Sequence, residues 1–554
     1  MKFGISTRQT LLLVALAWPS SIALADGTVE PWRLQKLAGR SSVLDSNGDL
    51  LAFGGGSFTG GIYAFKVAPD GTVVWESPPL YLPGGHTVPT WIDVDADDNV
   101  ILGGYHEALG GGFLAVKYDT DGNELWHSIV GFGVNPQARR VAVDEVGDVY
   151  LFGETWGGLS GSEPTGHDFL TVKLDSAGTF QWVKLAHQSG SDEPGGLDVR
   201  NGVVAVTGHA NGPYMTVAYD YSGNLVWKRV YADGIWGGND VVIGPTGQVV
   251  VCGWGTTNGN FPYTGTVLAY DSGGSVAWKV LYNGPTGGVD NFMRLAVNDA
   301  GDVAAAGWTS VGAYEDWSTL KIDVAGNLLW SAHFGGITSM SEWARAVAFG
   351  PAGEVYVGGD AGPSCTGIGT DGHVVKYAPD GTQEWVHHLS CAAQPAQLHV
   401  DGLGAIWYQG DWNTARILET IGTTYCSPAT VNSTGDPGVT VVSGSSIVAD
   451  QDFTLTAFQL PHGRFGYFLA SETPGIFMPP ASQGTLCLGG SVGRLNAQVI
   501  QGPSGSVPVD LTAMPVNPPT AVLPGATWHF QCWYRDDNPA PTSNFTDAVS
   551  VTFL

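Results

Sequence analysis

The sequence predicts an all-β chain in two parts, a large ring of repeated four-stranded sheets and a smaller sandwich-like unit. Three observations predict it: a glycine turn followed by tryptophan recurs seven times, a second glycine-type turn alternates with it, and both patterns stop near residue 420. Composition agrees, with 80 glycines and 11% aromatics against only 13% charged residues in 554. Many turns between apolar and aromatic runs are what strands need.

The N-terminal end reads as a targeting segment. Lys2 and Arg8 make a basic start, Leu11 to Trp18 is a short apolar run, and Ala23-Leu24-Ala25 offers a small-x-small cleavage pattern. A signal peptide over 1–25 is expected, with cleavage before Asp26. The apolar run is too short to cross a bilayer, and no later stretch approaches the roughly 20 residues needed. No cysteine follows it where a lipoprotein signal would need one. The expectation is a secreted, extracellular or cell-envelope protein without a transmembrane segment, and a monomer. The net charge of −28 becomes −30 once Lys2 and Arg8 are removed. Such a chain repels phosphate backbones, so no nucleic-acid partner is expected.

The first turn carries the main signal. Gly71, Gly122, Gly178, Gly223, Gly274, Gly326 and Gly381 are each followed four residues later by a tryptophan: Trp75, Trp126, Trp182, Trp227, Trp278, Trp330 and Trp385. Only 20 of the 554 residues are tryptophan, so seven coincidences at one offset are not chance. Asp119, Asp175, Asp220, Asp271 and Asp323 precede their glycines by three residues, where a carboxylate can bond the backbone two residues on. Glycine supplies the positive φ that closes a tight hairpin. The stretches before the turn alternate, as in Phe113-Leu-Ala-Val-Lys-Tyr118 and Phe169-Leu-Thr-Val-Lys-Leu174, which reads as a strand with one face buried. The tryptophans are expected to pack between neighbouring sheets.

The second turn reads Val43-Leu-Asp-Ser-Asn-Gly48, Val141-Ala-Val-Asp-Glu-Val-Gly147 and Leu295-Ala-Val-Asn-Asp-Ala-Gly301, with weaker copies centred on Asp98, Gly202, Gly247, Gly353 and Gly404. A strand follows each and usually ends in glycine, as in Val149-Tyr-Leu-Phe-Gly153. The eight copies lie about 45 to 55 residues apart, enough for one four-stranded sheet each. Such sheets hide both faces only by stacking on neighbours, the logic of a β-propeller. The eighth unit, ending near Thr414-Ala-Arg-Ile-Leu418, lacks its tryptophan strand, and Trp32 is in phase to supply it. An eight-bladed β-propeller over 26–420, closed by the N-terminal strand, is expected; a seven-bladed ring is the alternative.

The units Asp168-Phe-Leu-Thr-Val-Lys-Leu-Asp175, Phe180-Gln-Trp182 and Val355-Tyr-Val-Gly-Gly359 resemble the bacterial seven-bladed β-propeller repeat family. The D-x-x-G-x-x-x-W turn is similar to the tryptophan-docking motif of quinoprotein dehydrogenases and of an eight-bladed outer-membrane assembly lipoprotein. The resemblance covers roughly residues 30 to 420 and implies the fold; propellers serve many ends, so it implies no single function. The count of eight departs from the family's seven.

After residue 420 a Ser/Thr/Pro/Gly-rich stretch opens a second unit, 421–554. Alternating segments such as Asp452-Phe-Thr-Leu-Thr-Ala-Phe458 and Ala548-Val-Ser-Val-Thr-Phe553 predict a β-sandwich-like domain. Phe465-Gly-Tyr-Phe-Leu469, Leu486-Cys-Leu-Gly-Gly490 and Phe530-Gln-Cys-Trp-Tyr-Arg-Asp536 resemble a C-terminal domain of large secreted planctomycete proteins.

Six cysteines in an exported chain suggest disulfides. Cys365 and Cys391 fall in loops on one propeller face and are expected to pair. Cys252, in a buried-looking strand, reads as a free core thiol. Among Cys426, Cys487 and Cys532 one bridge is expected, with Cys426 to Cys487 favoured.

Catalytic signatures are poor. Gly489-Gly-Ser491-Val-Gly493 fits a nucleophile motif without its strand–turn–helix setting. His106-Glu107 lacks the second histidine of a zinc helix. Asp93, Asp95 and Asp97 resemble the opening of a calcium loop, but Gly104 stands where the closing acid belongs; calcium remains an option beside a bare acidic turn. No other cofactor is evident. The loop-bearing face is more suggestive. It gathers Tyr105, His106 and Glu107; Glu154 and Trp156; Trp236; Trp254 and Tyr263; Trp308, Tyr314 and Glu315; and Glu342 with Trp343. Aromatic rings beside carboxylates suit sugar or peptide recognition, although Trp254 and Trp308 can equally pack against the next sheet. The reading is a non-catalytic binding or scaffold protein for an extracellular glycan or protein. The alternative is an extracellular enzyme at the central channel, either a quinoprotein-like oxidoreductase or a carbohydrate-active hydrolase or lyase needing paired carboxylates.

Overall fold

The computed structural model describes residues 28–554 except for 36–38, 40, 56–60, 109–110, 132–133, 157–165, 189, 211–212, 256–262, 336–340, 364–369, 390–394, 402–403, 411–412, 496–497 and 539; side chains at 28–33, 35, 232–236, 362–363, 370, 395 and 413 also lie outside the description. The described residues divide between Thr423 and Thr424 into two compact units.

The first unit is all antiparallel sheet, and it is a β-propeller. A four-stranded sheet is built from Ser42–Leu44, Leu50–Gly54, Tyr63–Val67 and Val73–Glu76, paired in chain order. The same plan recurs over 87–130, 134–186, 290–334 and 343–389. Between 192 and 282 the order holds through seven strands, because Leu225–Ile243 ends one four-strand run and begins the next. The last sheet runs Pro395–Val400, Ile406–Gly410, Asn413–Glu419 and then Thr28–Gln35, so the N-terminal strand completes it. Burial grades across each sheet: Gly112–Tyr118 is buried throughout, whereas Glu124–Val130 beyond it alternates exposed and half-buried residues. The middle strands are core, and the fourth lies at the rim.

The repeated turns show why the sequence chooses these residues. Asp119 Oδ1 accepts the N–H groups of Asp121 and Asn123 at 3.0 and 2.8 Å, and Gly122 N–H closes on Asp119 O at 3.0 Å. Six of the seven tryptophans, all but Trp385, then lie on the turn glycine of the following sheet. A Cβ at Gly122 would sit 2.6 Å from Trp75, one at Gly178 2.6 Å from Trp126, and one at Gly381 2.6 Å from Trp330. The indole N–H also donates across the gap, from Trp75 to Thr120 O at 2.8 Å and from Trp126 to Ser176 O at 3.1 Å. These rings are therefore interlocks between sheets. The side chain of Trp32 lies outside the described residues.

A second set of cross-links was not read from the sequence. Lys66, Lys117, Lys173, Lys321, Lys376 and Arg416 occupy one register position in the third strands and are each at most 8% exposed. Lys117 Nζ meets Asp95 Oδ2 at 2.7 Å, Lys66 meets Asp45 at 2.5 Å, and Arg416 meets Asp401 at 2.8 Å. Several also donate to a turn carbonyl of the next sheet, as Lys173 does to Tyr221 O at 3.0 Å. Buried charges survive because they are paired and hydrogen-bonded.

The last sheet packs on the first. Ser42 N–H donates to Gln397 Oε1 at 2.5 Å, Ser42 Oγ lies 3.0 Å from His399 Nε2, and Arg416 donates to Pro69 O at 3.2 Å. Trp407 is buried among Leu50, Ala52, Phe65 and Val67.

The second unit holds a sheet whose main path is Thr423–Tyr425, Thr542–Thr552, Thr527–Asp536, Phe465–Ser471 and Gly493–Arg494, with Ile500–Gln501 also on Phe465–Ser471. A three-stranded sheet joins Val439–Gly444, Phe453–Phe458 and Gly505–Pro508. Phe453 of the smaller sheet lies 5.2 Å from Phe530 and 5.0 Å from Phe553, ring centre to ring centre. Cys426 and Cys487 form a disulfide, while Cys252 and Cys532 are buried free thiols. Cys365 and Cys391 lie outside the described residues.

Candidate functional site

Every first strand from 87 onward breaks register at an equivalent position: between Pro89 and Trp91, Ala138 and Arg140, Pro194 and Gly196, Gly238 and Asp240, Phe292 and Arg294, Ala344 and Ala346, and Pro395 and Gln397. These are β-bulges, which twist a strand and re-aim a side chain. They explain the glycine that ends the second strand. A Cβ on Gly153 would lie 1.9 Å from Gln137 O, and one on Gly307 1.9 Å from Asn291 O. The bulge sends consecutive side chains to different places: Arg139 reaches Glu154 at 2.7 Å, while the Arg140 guanidinium stacks 3.9 Å over Trp91.

Around Arg139 the structure brings together four of the residues singled out from sequence. Glu154 is buried and pairs with Arg139, and its second oxygen lies 3.8 Å from His167 Nδ1. Trp156 is 46% exposed and meets His167 edge-on at 5.0 Å. Tyr105 shares the locale: burial first, then the charges of Glu107 and Glu154, raise its phenol above the ordinary range, against the pull of Arg139. Glu107 is exposed. An open indole therefore stands beside a fixed ion pair, a phenol and a free carboxylate. His106 is structural: it is buried, with Nδ1 2.9 Å from Thr87 Oγ1 and Nε2 3.2 Å from Pro83 O.

The other candidates form separate groups. Trp343 donates to Glu315 Oε2 at 3.1 Å, and the Arg345 guanidinium lies 4.9 Å over its ring while Arg345 Nε holds Asp360 at 2.7 Å. Arg345 and Asp360 repeat the register positions of Arg139 and Glu154. Tyr314 is 42% exposed nearby in sequence. Trp254 meets Tyr263 edge-on at 4.6 Å and covers Gly237, where a Cβ would lie 2.7 Å from its Nε1. Trp308 is half-buried and pairs across the strands with Trp317, a fully buried ring that donates to Asp360 O of the next sheet at 2.9 Å. The Trp236 side chain lies outside the described residues, and Glu342 is buried, its N–H donating to Glu315 O at 2.8 Å.

The acidic turn divides its carboxylates instead of converging them. Asp93 accepts the N–H of Val143 in the next sheet at 2.9 Å, and burial pushes its carboxyl up to about 7. Asp95 caps its own turn and pairs with Lys117, and Asp97 is exposed. Asp198 and Asp240 act like Asp93, accepting Ile243 N–H at 2.5 Å and Leu295 N–H at 3.1 Å. These inner-strand carboxylates staple neighbouring sheets together. Ser491 bridges to Asn517, whose N–H donates to its Oγ at 3.2 Å.

A metal-capable constellation lies elsewhere. Among the described residues, Asp168, His187 and Asp192 offer ligand atoms within 4.8 Å of one another. Sequence reading passed over Arg139, His167, Asp168, His187 and Asp192, because their partners come from other strands: Arg139 meets Glu154, and His187 meets Asp168 and Asp192. Burial first, then the charge of Asp168, raise the Asp192 carboxyl to about 6, with the Gln188 N–H, His187 and Lys228 opposing.

No protein-family model matches the chain, and no curated protein sequence matches it. Among solved structures it is similar to Sqt1 of Chaetomium thermophilum at 13% identity, TM-score 0.47, covering 72% of this chain and 98% of that one. It is similar to the Dos1 propeller at 10% identity, TM-score 0.44, over 70% and 95% of the two chains. The periplasmic gluconolactonase of Pseudomonas aeruginosa matches at 13% identity, TM-score 0.39, over 62% and 97%. The likeness reaches β-propellers in general and not the bacterial repeat family named from the sequence.

Proposed function

We propose that the chain is an exported, eight-bladed β-propeller protein that recognises an extracellular glycan through the loop face around Trp156. The observation that carries this reading is the half-open indole of Trp156, braced edge-on by His167 beside the Arg139–Glu154 pair. A flat apolar ring with directional polar groups at its margin matches the alternating apolar and hydroxyl faces of a sugar. The inner-strand carboxylates that a hydrolase would use are engaged by main-chain amides, which favours binding over chemistry at the channel.

Eight blades are supported by the sheet order, with Leu225–Ile243 counted in two blades and Thr28–Gln35 completing the last. A sandwich within residues 421–554 is supported by Phe453 packing on Phe530 of the other sheet and on Phe553 just beyond it. Export rests on the basic, apolar and Ala23-Leu24-Ala25 sequence of the first 25 residues; N-terminal sequencing of protein recovered outside the cytoplasm checks it, with Asp26 expected first.

Glycan-array binding by the mature chain, followed by titration of the best hit, tests the function. Trp156→Ala and Glu154→Gln are each expected to weaken binding at least about tenfold, while Tyr314→Ala leaves it unchanged. Binding that survives both changes, or a protein partner with no glycan hit, would overturn the reading.

A further inference from the structure

We propose that Asp168, His187 and Asp192 form a binding site for a divalent cation of the zinc class, next to the Trp156 platform but sharing no residue with it. The three ligands come from three elements. Asp168 is the second residue of the strand His167–Leu174, His187 follows the strand Phe180–Ala186, and Asp192 opens Asp192–Arg200 in the next sheet. His187 Nδ1 lies 2.5 Å from Asp168 Oδ1 and 3.9 Å from Asp192 Oδ2. Imidazole and carboxylates coordinate zinc at about 2.0 to 2.2 Å, so movements of about an ångström bring all three onto one ion. Oxygen and nitrogen ligands without sulfur exclude the soft cations and suit zinc, cobalt or manganese.

The second observation is an orphaned oxygen. Asp192 is fully buried, and while its Oδ2 accepts Gln188 N–H at 2.8 Å, its Oδ1 has no hydrogen-bond partner. A buried carboxylate oxygen left unpaired costs about 1–3 kcal/mol or more. The repeat itself supplies the control. Asp290 stands at the equivalent register position two blades on, opposite Thr309 as Asp192 stands opposite Ala210. There one oxygen accepts Gly284 N–H at 3.1 Å and the other accepts the Thr309 hydroxyl. Alanine in place of threonine removes that donor from Asp192, and the same carboxylate is the one that faces a histidine and a second, buried aspartate. A cation satisfies all three groups at once.

The His187 side chain is 47% exposed, so the ion would keep an open side toward solvent and a coordination position for an outside ligand. The site would also join His187 to the sheet that holds Asp192–Arg200, whose Lys228 already donates to His187 O at 2.5 Å.

Titration of the full-length metal-free chain with Zn2+, and with Co2+ read by its visible d–d bands, tests the site. One equivalent is expected to bind. His187→Ala and Asp192→Asn should each lower affinity by at least about 100-fold and abolish the cobalt bands, whereas Asp290→Asn leaves stoichiometry and bands unchanged. His187 is exposed, so its substitution tests the site even if Asp192→Asn fails to fold. No binding by the parent chain, or binding that persists in His187→Ala, would overturn the proposal; either result leaves the glycan reading standing, because Trp156 and Glu154 are not ligands.

Discussion

Gly178 has two independent reasons to be glycine. Its φ of +80° lies in the left-handed region, and a Cβ would stand 2.6 Å from the Trp126 ring of the preceding sheet. Gly202 has the same φ of +80° with nothing within 4 Å of a Cβ. Alanine at Gly202 is therefore expected to cost only the backbone strain, about 1–2 kcal/mol, whereas alanine at Gly178 adds displacement of an interlocking indole and is expected to cost about 3–4 kcal/mol. Urea unfolding of the two variants checks this; equal losses would contradict the interlock. The turn was legible in the sequence because its Asp, Gly and Trp lie within eight residues and repeat. The partner of each tryptophan was not, because it lies one sheet further on. The third-strand lysines were visible in Phe113–Tyr118 and Phe169–Leu174, but the carboxylates that allow their burial were not, because they lie in the turn after another strand, as Asp95 does for Lys117.

At the scale of elements, the bulge in the first strand connects fold to site. The residues at its bulged position are Thr90, Arg139, Gly195, Asn239, Met293, Arg345 and Ala396, which share no common residue type beyond the two arginines. Only the glycine across from the bulge betrays it in the sequence. That glycine read as a strand end, because a two-to-one pairing is a property of two strands and not of either alone. Gly153→Ala is expected to drive the strand away from Gln137 O and shift Arg139 off Glu154, lowering glycan affinity about tenfold or more along with stability. Titration beside a thermal melt measures both; full affinity in a folded variant would mean that the bulge does not position the site. The Trp156 platform was half legible for a related reason. Tyr105, Glu107, Glu154 and Trp156 could be named as loop-face residues, but Arg139 and His167 enter through pairing between strands.

Over the whole molecule, one seam decides whether the sheets form a ring. Thr28–Gln35 pairs antiparallel with Asn413–Glu419 across nearly 400 residues of chain, from Thr28 opposite Glu419 to Gln35 opposite Asn413. Side chains then join this sheet to the first through Ser42, Gln397, His399 and Arg416. Closure buries the faces of the first and last sheets that an open row would leave exposed, as Trp407 is buried among Leu50, Ala52, Phe65 and Val67. Trp32 was in phase to complete the last sheet because the unit ending near Leu418 has no tryptophan strand of its own. The most direct measurement is hydrogen–deuterium exchange of the mature chain with and without residues 28–35. With the strand present, the amides of Asn413–Glu419 are expected to be as protected as those of Gly112–Tyr118. Without it they should exchange rapidly, together with those of Ser42–Leu44 and Pro395–Val400, and the melting temperature should fall by more than about 10 °C. Unchanged protection at Asn413–Glu419 after the deletion would contradict closure by the N-terminal strand.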